Sequence, residues 1–169
     1  MRSDRALAQS LTFFMGECFR PIAMSPAELP ARACAERPFV VLHVEDDEAL
    51  AASVARLLRA EGFEAVSATD AASALERIAH DAAAPDVLIM DVNLPGEMDG
   101  ADVAQEICHA LGHVVPTIFL SGQLSSIGLP WLPGAPLLFV AKPLDAEVLV
   151  RVVESFAGLG RFMRAHTHH

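Results

Sequence analysis

Basic residues are scarce in this chain. Twelve Lys and Arg face 22 Asp and Glu, giving a formal net charge of -10 and a sequence pI of about 5.0. A nucleic-acid-binding surface needs a basic patch, so this balance argues against one. Cysteine is equally sparse. Cys18, Cys34 and Cys108 lie far apart and form no C-x-x-C pair. That argues against metal clusters and dithiol chemistry and makes a reducing, cytoplasmic setting the default. No apolar run approaches the roughly 18 residues of a membrane span. LTFFM (11–15) with ACA downstream carries a faint leader-like pattern, but Glu17 and Arg20 follow too soon for a secretory leader.

What the chain does have is apolar material, 53% of its 169 residues, enough for one well-filled domain. Residues 1–37, with Pro21, Pro26 and Pro30, are expected to be a flexible extension. From Phe39 a regular pattern begins. FVVLHV (39–44) is a β-branched run of the kind buried on both faces of a sheet. Further strands are expected at 64–69, 86–91, within 114–122 and at 137–142. Helices are expected at 48–60 (stripe Leu50, Val54, Leu57, Leu58), 70–81 (capped by Asp70), 101–111 (ending at Gly112) and 145–157 (capped by Asp145). Between the last two strands, residues 122–136 carry three glycines and three prolines. At most a turn or two of helix is expected there, near 123–128, then irregular chain with Trp131.

Alternating strands and helices imply an α/β fold, a doubly wound five-stranded parallel sheet of order 2-1-3-4-5. Its ligand crevice lies at the carboxyl ends of the first and third strands. The unusual polar residues gather there. Glu45 and Asp46 close the first strand, Asp91 the third, Ser121 the fourth and Lys142 the fifth. Three carboxylates at one rim resist ionising together unless a cation joins them. Mg2+ accepts oxygen ligands from one or two carboxylates, water and phosphate. Lys142 and Ser121 suit a phosphoryl group, and Asp91, central among them, suits its nucleophile. Glu48 reads as helix-start charge, and Asp47 as either helix cap or metal ligand. His43, inside the first strand, reads as a core histidine with its polar atoms satisfied.

VEDD (44–47), LIMDVNLPGEMDG (88–100), FLSG (119–122) and FVAKP (139–143) stand in this order, 45, 30 and 21 residues apart from Asp46 to Asp91 to Ser121 to Lys142. In these motifs the chain resembles the receiver domains of two-component response regulators, the single-domain, CheY-like kind, over residues 38–157, with 158–169 left as a tail. The resemblance implies a flavodoxin-like fold and phosphorylation of Asp91. It implies Mg2+ at the acidic pair and at the Asn93 backbone, and a phosphate-contacting Lys142 with a cis bond to Pro143. It also implies a switch formed by Ser121 and Phe139. The donor would be a sensor histidine kinase or a histidine phosphotransfer protein in a phosphorelay, and a downstream protein would read the result. No catalysis is implied beyond self-catalysed phosphoryl acceptance and slow autodephosphorylation. The chain departs from the family in its proline-broken fourth helix. That departure motivates an alternative, a receiver-like interaction module that works without phosphorylation. A register shift that makes Asp46 and Asp47 the acidic pair also stays open.

Overall fold

The computed structural model describes residues 37–80, 84–122 and 134–166, together with the backbone of 11–14 and 22–24. The expected turn at 123–128 and the loop around Trp131 lie outside the described residues.

Five short strands form the parallel sheet: β3 (Val40–Val44), β4 (Glu64–Ala68), β5 (Val87–Asp91), β6 (Thr117–Ser121) and β7 (Leu137–Ala141). Their order is β4-β3-β5-β6-β7, the expected 2-1-3-4-5 arrangement. Four helices connect or follow them among the described residues: α1 (Glu48–Ala60), α2 (Ala71–His80), α3 (Gly100–Leu111) and α4 (Ala146–His166). Every residue of β3, β5 and β6 is buried, as a strand covered on both faces requires. Side chains alternate between two cores. Val41, Ile89, Ile118 and Val140 face the layer of α1 and α4, while Leu42, Met90, Phe119 and Phe139 share the other core with side chains of α2 and α3.

The helix caps follow from local chemistry. Asp47 caps α1, accepting from the Ala49 and Leu50 N–H groups at 2.9 and 3.0 Å. Asp70 accepts from the Ser73 N–H at 2.7 Å, and Asp145 from the Glu147 N–H at 2.8 Å. Asp99 and Asp102 form a reciprocal capping box on α3. The α1 stripe differs from expectation. Ala51, Val54, Ala55 and Leu58 are buried, whereas Leu50 is 38% exposed. Two of the four buried positions are alanines, and the first leucine of the expected stripe is partly open to solvent.

Two findings concern the chain ends. The last helix does not stop at 157 but runs on to His166. Gly160 permits this, since a Cβ there would lie 1.9 Å from the Asp86 carbonyl oxygen. Arg161 and Arg164 then reach the Asp86 carboxylate. Residues 158–166 thus continue α4, and two of their arginines bond to Asp86. At the other end, β1 (Leu11–Phe14) pairs antiparallel with β7, and β2 (Ile22–Met24) pairs with β1, inside the segment read as a flexible extension. The aromatic and β-branched content of LTFF favours a strand, and β7 is the edge of the parallel sheet.

Candidate functional site

The ends of β3, β5, β6 and β7 point to one rim because the strands are parallel and nearly equal in length. One further ladder bond holds the chain in line beyond three of them. Glu45 N–H donates to Ala68 O at 3.0 Å, Val92 N–H to Leu120 O at 3.1 Å and Lys142 N–H to Ser121 O at 2.7 Å. The sheet frame thus sets the position of each polar side chain that follows.

Lys142 Nζ donates to Glu45 Oε2 at 2.7 Å and to Asp91 Oδ2 at 2.5 Å. The second oxygen of Asp91, Oδ1, accepts the Asn93 N–H at 2.8 Å. Asp91 is therefore held at both oxygens. Glu45, Asp46 and Asp91 offer carboxylate oxygens that all lie within 4.8 Å of one another. Glu45 and Asp91 are buried, and Asp46 faces solvent. Ser121 is buried at the end of β6, beside Ala141 in the register. Phe139 is buried and stacks on Phe119, with ring centroids 5.0 Å apart. The Lys142–Pro143 peptide is cis.

The structure therefore brings together Glu45, Asp46, Asp91 and Lys142, with the Asn93 backbone against Asp91. Asp47 stands apart from this group, since its Oδ1 is taken up as the α1 cap. Gly100 is required by the close return of α3 to β5. A Cβ there would lie 2.0 Å from the Asp91 carbonyl oxygen.

The charges respond to one another. Burial pushes the Glu45 carboxyl above its usual range, partly opposed by the hydrogen bond from Lys142. Burial works against the Lys142 ammonium, but hydrogen bonds to Asp91 and Glu45 outweigh it and hold its pKa above the ordinary lysine value. Three carboxylates against one ammonium leave two negative charges. Glu45, Asp46 and Asp91 would hold a divalent cation, and the donor set, all hard oxygen, fits Mg2+.

His43 corrects the sequence reading. It is fully buried, as a core residue should be, yet neither ring nitrogen has a hydrogen-bonding partner among the described residues. Its pKa is lowered to about 4, first by burial and then by the Lys142 charge, against an opposite pull from Asp91. The periodicity of a strand predicts that a residue is buried. It does not predict what lies opposite.

A family model described as the response regulator receiver domain matches residues 41–154. The sensory transduction protein RegX3 of Mycobacterium tuberculosis (strain ATCC 25618 / H37Rv) is 39% identical over 111 residues, 65% of this chain and 47% of that protein. The transcriptional regulatory protein PrrA of Mycobacterium leprae is 38% identical over 85 residues, 50% of this chain and 35% of that protein. The chain thus spans about half the length, or less, of these curated relatives. Among solved structures, NtrX from Brucella abortus in complex with ADP superposes with a TM-score of 0.65 at 29% identity, over 76% of this chain and 29% of that one. A CheY-like receiver domain protein from Methanospirillum hungatei JF-1 superposes with a TM-score of 0.62 at 21% identity, over 75% of this chain and 98% of that one.

Proposed function

The chain belongs to the response regulator receiver family, and we propose that it accepts a phosphoryl group on Asp91 from a phosphohistidine. The observation that carries this reading is the Glu45–Lys142–Asp91 cluster at the carboxyl rim of the sheet, with Asp46 beside it. Residues 38–157 form the receiver unit in this reading.

The donor is a sensor histidine kinase or a histidine phosphotransfer protein, and the setting is the cytoplasm. A carboxylate oxygen of Asp91 attacks phosphorus, the P–N bond of the phosphohistidine breaks, and imidazole leaves with an aspartyl phosphate formed. The Asn93 N–H fixes the carboxylate while it reacts. Lys142, held protonated by its two carboxylate partners, is placed to share its charge with a phosphoryl oxygen. Glu45, Asp46, Asp91 and the Asn93 backbone would hold Mg2+, which when bound supplies positive charge to the transferring phosphoryl group. Ser121 closes β6 next to this position, and Phe139 lies on β7 beneath it. A hydroxyl drawn to the phosphoryl oxygens and a ring that repacks with it would carry the signal to a partner surface.

The test is incubation with Mg2+ and acetyl phosphate, followed by detection of protein-bound phosphate that is stable to acid and labile to base. The wild type is expected to acquire one phosphate and Asp91→Asn none. Equal labelling of the two proteins would overturn the assignment.

A further inference from the structure

On the face of the sheet covered by α1 and α4, buried apolar side chains form one core cluster. At the carboxyl end it opens into a cavity of about 420 Å³. Leu50 and Val54 of α1, Leu120 of β6, and Leu144 and Leu149 at the start of α4 form apolar walls. His43 lines the cavity from β3.

A neutral imidazole offers one donor and one acceptor. Both His43 nitrogens are buried and unpartnered among the described residues. Buried polar atoms of native proteins nearly always find a partner, so such a group calls for one the protein itself does not supply. Water needs several polar neighbours to settle in a cavity. Besides His43 the titratable groups on this cavity are Glu45 and Lys142, which are already bonded to each other. Volume, apolar walls and a single unmet polar group are the features of a small-molecule pocket.

We propose that this cavity is a second binding site, which takes a small, neutral, largely apolar molecule with one hydroxyl directed at the ring of His43. The site is separate in function from phosphoryl acceptance, although Glu45 and Lys142 border both.

Phenol and toluene serve as matched probes, since they differ only in the hydroxyl. Full-length protein with 15N-labelled histidine is titrated with each, with and without Mg2+, and the ring-nitrogen resonances of His43 are followed. Phenol is expected to bind saturably, to shift those resonances and to bind more tightly than toluene. Replacement by His43→Leu should weaken phenol about fivefold, the worth of one hydrogen bond, and leave toluene unchanged. Leu144→Trp should block both probes by filling the space, and it carries the test if His43→Leu does not fold. A cavity that holds only water would show no saturable shift of the His43 ring. That result, equal affinity of wild type for the two probes, or phenol binding untouched by Leu144→Trp would each overturn the proposal. None of these readouts depends on phosphorylation of Asp91.

Discussion

The two ends of the parallel sheet treat buried charge in opposite ways. At the amino end, Asp86 is fully buried and surrounded by donors. Val40 N–H and Arg161 Nη2 each reach Oδ2 at 2.9 Å, Arg164 binds Oδ1, and Arg37 adds a longer contact at 3.4 Å. Arg161 also ties the Arg37 and Pro38 carbonyls and lies 4.1 Å from the centre of the Phe39 ring. One carboxylate there has more cations than it needs. At the carboxyl end, Glu45 and Asp91 share the ammonium of Lys142, and the Asp46 carboxylate lies beside them. The first arrangement is closed and joins the start of β3 to the end of α4. The second is short of positive charge, which suits it to a cation.

The same substitution at each end should separate the two. Asp86→Ala leaves arginines without their carboxylate and frees the end of α4, and should cost about 3 kcal/mol in urea unfolding. Asp91→Ala removes one of several crowded like charges, and in metal-free buffer should change stability by less than about 1 kcal/mol. Comparable losses at both ends would erase the distinction.

Acid should expose the next difference. The folded-state pKa of His43, about 4, lies below its ordinary 6.5, so its neutral form favours the fold. That contribution is complete above pH 6.5 and is lost as pH falls through about 4, with a ceiling of about 3 kcal/mol. Glu45 has the opposite sign. Its raised pKa contributes stability below 4.5 that is lost as pH rises through the folded value, so it offsets part of the histidine effect. Without metal, His43→Leu should lose less stability than wild type between pH 7 and 4.5, measured by urea midpoints. Parallel losses in the two proteins would remove His43 from the account.

A smaller effect bears on the acidic pair itself. Glu45→Gln is expected to weaken Mg2+ binding about tenfold by calorimetry, and Asp47→Asn by no more than about twofold, because Asp47 serves the helix. The reverse result would shift the pair by one residue.

Much of the carboxyl end was legible in the sequence, because its chemistry is punctuated locally. An apolar run stops and a charged residue follows, so strand ends and site residues are read together. Asp70 and Asp145 announce their helices in the same way. The amino end was not legible. Asp86 stands at the start of a strand like any loop residue, and only the fold brings Arg37, Arg161 and Arg164 to it from up to 78 positions away. The extension of α4 past 157 depends on the same distant carboxylate and on Gly160, whose missing side chain matters only beside the Asp86 carbonyl. The unmet nitrogens of His43 are a further case. Alternation in β3 assigns the residue to the face of α1 and α4, but it does not reveal the cavity that Leu50, Leu144 and Leu149 line beside it.

The smallest effect is the finest probe of the closed end. Arg37 contacts Asp86 at 3.4 Å with its side chain half exposed, whereas Arg161 and Arg164 are three-quarters buried or more. An exposed ion pair of this length contributes little, because water screens it and holding a long side chain costs entropy. Arg37→Ala should therefore change stability by less than about 0.5 kcal/mol, while Arg161→Ala should cost several times more through the lost carbonyl bonds and the ring contact. If Arg37→Ala proved as costly as Arg161→Ala, the carboxylate would need all three cations.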